Sequence, residues 1–166
     1  MSLGECMAGS GDMKTTSRSP WMRVETAMID TSRGVRQAYD RRFAALGLNL
    51  SQALLVSLVV DFGPHTQTQL AEVLNLGRAA TGSCVDQLEK RRLVRRDPDP
   101  EDRRVWIVTA TPGGSEMAEE IRTIDQVLQA ELRNGITRAE RQQLANLLIK
   151  MQANLEPILN EPLSPK

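Results

Sequence analysis

The chain has 166 residues, 40% hydrophobic and 25% charged, which is enough for one core of ordinary domain size. Aromatic content is only 3%, so aliphatic helix packing must carry most of the burial, and a formal net charge of zero excludes a uniformly basic surface. One histidine (His65) and two cysteines (Cys6, Cys84) argue against a zinc quartet or a disulfide framework. No apolar run approaches the ~18–20 residues of a membrane span, and the first residues lack the apolar segment of a secretory signal. A cytoplasmic protein with no membrane partner is the expectation.

Residues 1–19 are rich in Gly, Ser, Thr and Met without periodicity, and read as a disordered arm. After Pro20, the residues Val24, Met28, Val35, Tyr39, Phe43 and Leu46 recur at helical spacing as far as Gly47, with a polar break near Thr31 and Ser32. Three capping boxes then announce helices: Asn49 with Gln52, Thr66 with Gln69, and Thr137 with Glu140. In each, the first side chain accepts from a free helix-end N–H while the Gln or Glu reaches back. Gly63 and Pro64 close the first of these helices, and Asn75, Leu76 and Gly77 form the turn after the second. The next helix spans about Arg78 to Arg92, with Thr81, Cys84, Val85 and Leu88 inward and Arg78, Ala79, Gly82, Ser83 and Asp86 outward.

A strand beginning at Leu93 and Val94, the turn segment DPDPED, and a returning strand through Val105 to Thr109 follow as a hairpin. Thr111 caps a further helix that has Pro112 at its first position. That helix carries Met117, Ile121, Ile124, Leu128 and Leu132 and breaks at Asn134 and Gly135. The last helix carries Leu144, Leu147, Leu148, Met151 and Leu155 and should stop before Pro157, leaving a C-terminal tail over 158–166 whose last residues, EPLSPK, are expected to fray.

The fold class is therefore mainly α. Residues 48–111 form a helix-turn-helix lobe with a two-stranded β-wing, flanked by long helical segments at 20–47 and 112–157. A helix that fits a DNA groove, followed by a β-ribbon with arginines near its tip, is a nucleic-acid reading device. The charge pattern supports this only modestly. From Gly77 to Trp106 there are eight basic and six acidic residues, a local +2 against −2 elsewhere. The long terminal helices would leave apolar stripes uncovered on so small a lobe. A two-fold homodimer covers them and spaces two recognition helices about one DNA turn apart, ~34–36 Å. An intramolecular bundle in a monomer is the alternative.

The stretch QLAEVLNLGRAATGSCVDQLEKRRLVRRDPDPEDRRVWIVTATPGG resembles the MarR-type winged-helix transcriptional regulators. Asp99-Pro100-Glu101-Asp102-Arg103-Arg104, followed by Val108-Thr109-Ala110-Thr111, is similar to that family's D-x-R-D-x-R…LT-x-x-G wing signature, and the order of elements agrees over about residues 21–156. The resemblance implies a homodimer on a pseudo-palindromic double-stranded DNA operator, usually a repressor, released by a small aromatic effector or by cysteine oxidation. From the residues themselves, with no Cys/His cluster, no cofactor and no metal are expected. Glu101 stands where the wing signature has Arg, Gly82-Ser83 where many relatives carry Thr-Arg, and Arg92 where the usual pattern has Gly.

Within this frame, Arg104 is the leading wing contact, since a guanidinium suits the negative potential of a minor groove. Asp102, two residues before it, is expected to orient it, and Arg103 is a second candidate. Arg78, in the first turn of the recognition helix, can reach a guanine edge or a phosphate. Ala79, Gly82 and Ser83 permit close approach, and Ser83 can donate. Thr66 and Gln67 open the preceding helix and are candidate phosphate contacts, although Thr66 also has its capping role. Within the basic run Lys90, Arg91, Arg92, Arg95 and Arg96, some residues should position phosphates while others pair with Glu89 or Asp97. Tyr39, Phe43 and Phe62 are candidate lining for an effector pocket, with Trp21 and Trp106 the other aromatics; plain core packing explains the same residues. Cys84 reads as either a redox switch or an inert packed thiol, and Cys6 as an oxidisable thiol on the arm. A winged-helix module for protein contact without DNA is the rival function. The lone His65 and the lack of a Gly-rich phosphate loop or metal cluster leave no catalytic candidate.

Overall fold

The computed structural model describes residues 24–161. The expected arm at 1–19 with Cys6, the neighbouring Pro20 and Trp21, and the last five tail residues lie outside them. The chain divides between Ala38 and Tyr39 into two compact units.

Residues 24–38 are helical and begin α1, Val24–Phe43. The expected break at Thr31 and Ser32 does not occur. Ser32 Oγ donates to the Ile29 carbonyl at 2.8 Å, so its hydroxyl is satisfied inside the helix and has no need to unwind it.

The second unit starts with the last turn of α1 and a short 3-10 turn, Ala44–Leu46. It continues with α2 (Leu50–Asp61), β1 (His65–Thr66), α3 (Gln67–Val73), α4 (Arg78–Lys90), β2 (Val94–Pro98), β3 (Trp106–Ala110), α5 (Pro112–Leu132) and α6 (Arg138–Asn160). All three capping boxes form, at Asn49, Thr66 and Thr137. Thr111 caps α5, its side chain accepting from the Gly114 N–H at 3.0 Å.

The helix ends explain the compact turns of the lobe. Asn75 and Arg92 adopt left-handed φ values of 49° and 58°. At Arg92 the chain closes α4 with Arg92 N–H on the Glu89 carbonyl at 2.8 Å and Leu93 N–H on the Leu88 carbonyl at 3.0 Å. Asn75 and Leu76 repeat the pattern on Glu72 and Ala71. Each uses the otherwise unpaired carbonyls of a helix terminus, and Leu88 and Leu93 bury together beneath the second turn.

The strands form one antiparallel sheet in the order β1-β3-β2. The two-stranded wing is β2 and β3, in register from Val94↔Ala110 to Pro98↔Trp106. Pro98 lies on an edge strand, where a missing donor is tolerated. The third strand, β1, was not expected: it pairs His65 with Val108 and Thr66 with Ile107. Two residues are too few to show alternation in a sequence. They become a strand because the wing returns beside them.

α2 packs on α5, and Phe43, Leu55, Val56, Leu70, Val85, Leu88, Val94, Val108 and Ile121 form one core under the lobe. α6 differs from every other long helix of this unit in burying no residue. It also runs past Pro157 instead of stopping before it. A proline removes only its own N–H and crowds the carbonyl four residues back, so in the last turn of a helix the backbone can retain helical dihedrals for three further residues. Among the described residues, no single helix is long and apolar enough to cross a membrane.

Candidate nucleic-acid interface

The candidate reading surface is built from α3, the turn after it, α4 and the wing. α4 is amphipathic as its spacing requires. Thr81, Cys84, Val85 and Leu88 are buried, while Arg78, Ala79, Ser83 and Asp86 are exposed and Gly82 is half-buried. Gly77 is the N-cap without a side-chain bond, so the first turn of α4 presents free N–H groups beside Arg78. Thr66 is held twice: it pairs with Ile107 in the sheet, and its side chain accepts from the Gln69 N–H at 3.2 Å. Gln67, the next residue, is thus anchored by its backbone, and its carboxamide oxygen lies 3.6 Å from where a Cβ on Gly82 would stand.

A polar relay the sequence did not announce runs behind this face. Buried Gln52 accepts from the Asn49 N–H at 3.0 Å and donates to Gln87 Oε1 at 2.7 Å. Gln87 Nε2 in turn donates to Ser83 Oγ at 3.3 Å. Because Ser83 accepts there, its hydroxyl proton is left for the outer side. Two glutamines 35 positions apart carry no local signal of pairing; only the packing of α2 on α4 joins them.

The basic run separates into free and committed side chains. Arg96 donates to Asp86 Oδ1 at 2.6 Å and also pairs with Glu89, and the Glu89 carboxylate accepts from the Arg96 backbone N–H at 3.0 Å. Its guanidinium clamps β2 to α4, which removes it from the candidate DNA contacts as a free charge. Arg91 donates to the Gly47 and Leu46 carbonyls at 2.7 and 2.8 Å, closing the turn after α1 and not reaching for a phosphate. Arg95 is exposed and pairs with Asp97 at 2.7 Å. The Thr109 hydroxyl, donating at 2.6 Å, together with Arg95 holds the Asp97 carboxyl below its ordinary value. Arg78, Arg103 and Arg104 are exposed and make no ion pair among the described residues.

Asp102 does not orient the Arg104 guanidinium. Its Oδ1 accepts from the Arg104 backbone N–H at 3.0 Å, while Asp99 Oδ1 accepts from the Glu101 N–H at 2.8 Å. Asp99 and Asp102 are turn formers: their carboxylates fold the backbone into two side-chain-closed turns and leave both arginines exposed.

Of the candidate effector residues, Tyr39 and Phe43 come together, ring centroids 5.6 Å apart. They line a cavity of about 440 Å³ with Leu50, Leu54, Ile121, Arg122 and Asp125. The Tyr39 hydroxyl donates to Asp125 Oδ1 at 2.7 Å, and burial plus this bond push its pKa up to about 12. Phe62 does not join them; it is 75% exposed at the end of α2. Trp106 lies on the wing, also largely exposed. Cys84 is buried, and burial pushes its thiol up to about 11. Among the described residues, no group of His, Cys, Asp and Glu could hold a metal ion.

Residues 48–106 match the model of the MarR family. The chain is 27% identical over 135 residues, 81% of its length and 82% of the relative's, to the HTH-type transcriptional regulator YdgJ of Bacillus subtilis, itself uncharacterised. Its fold is similar to that of BpsR from Bordetella bronchiseptica, whose DNA binding is regulated by 6-hydroxynicotinic acid (TM-score 0.73, 21% identity, 82% of this chain and 97% of that one). It is similar also to MepR of S. aureus in complex with DNA (TM-score 0.72, 19% identity, 82% and 99%). The β-wing behind a capped helix-turn-helix, the match across it and the likeness of fold together make residues 48–106 similar to the winged-helix segment of the MarR family of DNA-binding transcriptional regulators.

Proposed function

We propose that the protein is a homodimeric regulator that reads a pseudo-palindromic operator with α4 and holds the flanking minor groove with the wing, acting as a repressor by occupying that site. The observation that carries the reading is the outer face of α4. It offers Arg78 free of any ion pair among the described residues, small residues at 79, 82 and 83, and a Ser83 hydroxyl left free to donate. That combination suits close approach to base edges and phosphates. Arg103 and Arg104 supply the charge at the wing, and Arg95 a further, partly neutralised one. MepR, a protein of the same fold, is seated on DNA, which supports the docking.

Dimerisation through residues 20–47 and 112–157 is supported by α6, where Leu144, Leu147, Ile149, Leu155, Ile158 and Leu159 are all exposed. Apolar surface of that extent is what a second copy would cover. Release by a small aromatic effector is supported by the cavity beside Tyr39 and Phe43 and by the ligand-regulated behaviour of BpsR. A ligand there acts only if it binds the spacing of the lobes off DNA better than the spacing on it.

Fluorescence anisotropy with a mixed-sequence duplex over a salt series tests the reading, with light scattering for the dimer. Salt-dependent binding by a particle of twice the chain mass is expected, because neutralised phosphates release counterions. Binding that is absent at low salt sinks the DNA role and leaves a protein-contact module.

A further inference from the structure

We propose that the Gln67 carboxamide, resting over the bare backbone of Gly82, is a base-reading group of this lobe, and that adenine is the base it fits. The inference rests on the DNA-facing role of α4 given above.

Three observations carry it. The amide oxygen lies 3.6 Å from the position a Cβ on Gly82 would take, so the side chain of α3 occupies the space that a side chain at 82 would otherwise fill. Its backbone is fixed at the preceding residue, since Thr66 is paired in the sheet with Ile107 and caps α3. Among the described residues nothing hydrogen-bonds the Gln67 carboxamide, although the amides of its neighbours Gln52, Gln69 and Gln87 are all engaged. A half-buried amide held at the exposed surface of a recognition helix, with its donor and acceptor both unused, matches the adjacent acceptor and donor that adenine presents in the major groove. Gly82 therefore acts by absence: the reading group at this point of α4 is lent by α3.

Selection from random duplexes, repeated with four variants, tests this. Wild type is expected to enrich adenine at one position of each half-site. Gln67→Ala should lower the preference for that adenine by about 10-fold, and Gln67→Glu should move it toward cytosine, whose amino group donates. Gly82→Ala fits beside the amide and should keep the adenine, whereas Gly82→Val displaces the amide and should lose it. Circular dichroism checks that each variant folds. Uniform weakening of Gln67→Ala across all sequences would mark a phosphate contact and overturn the proposal, as would an unchanged selection. Wild type that selects no sequence and shows no salt-dependent binding is a separate result, and it removes the operator reading together with this one.

Discussion

Arg96 of β2 donates to Asp86 of α4 at 2.6 Å, joining the first wing strand to the outer edge of the recognition helix. With Glu89 as second partner, this arginine ties together two parts of the candidate reading surface while contributing little free charge to it. Arg96→Ala should therefore lower stability by about 1 kcal/mol, since the partners are partly solvated, and the melting temperature by roughly 2–4 °C. Duplex affinity should fall without a change in salt slope. Arg78→Ala and Arg104→Ala should instead leave the melting temperature nearly unchanged and reduce the slope by about 0.9 each. Equal slopes for all three variants would contradict this division of labour.

Gly114 is buried against the start of β2. A Cβ there would stand 2.0 Å from the Leu93 carbonyl oxygen, a backbone atom that cannot swing aside. At the adjacent Gly113 the nearest atom is 3.5 Å away. Gly114→Ala should cost about 3 kcal/mol or more, seen as a large drop in urea midpoint. Gly113→Ala should be nearly neutral. Similar midpoints for the two would show that α5 does not press on Leu93 as described.

Arg92 closes α4 with φ +58°, a conformation in which a side chain costs roughly 1 kcal/mol. Arg92→Gly should thus stabilise the lobe by about that amount, less the entropy a glycine adds to the unfolded chain. Thermal melting reads the gain directly. A destabilised Arg92→Gly variant would mean that the arginine side chain makes a compensating contact.

Cys84 is buried on the inner face of α4, and its thiol is pushed up to about 11. Because the folded value is raised, the contribution of the protonated thiol to stability is complete below its ordinary value of ~8.5 and is lost as pH rises toward 11. In a Cys6→Ser background, a thiol reagent at pH 8 should leave folded protein unmodified and label it stoichiometrically in urea. Rapid labelling of the folded protein, or loss of duplex binding on mild oxidation, would revive the redox-switch reading.

What was legible in the sequence was local. The capping residues Asn49, Thr66, Thr111 and Thr137 mark helix starts because a side chain satisfies an N–H only two or three residues away. The inward stripe of α4 follows from 3.6-residue periodicity, and the order of elements together with the wing motif was enough to suggest the family. Local rules also misled. Thr31 and Ser32 do not break α1, and Pro157 does not stop α6, because none of the three disturbs more than one backbone bond.

The individual role of each charged side chain was decided only by tertiary structure. Arg91, Arg95, Arg96 and Arg104 look alike in the sequence. One closes the turn after α1, one pairs with a neighbouring aspartate, one clamps the wing, and one makes no ion pair among the described residues. The β1 strand, the relay from Gln52 to Ser83 and the meeting of Gln67 with Gly82 likewise depend on partners 15 to 43 residues distant. A guanidinium or carboxamide takes whichever partner the fold places within about 3 Å. Periodicity specifies which way such a side chain points; packing alone specifies what it meets.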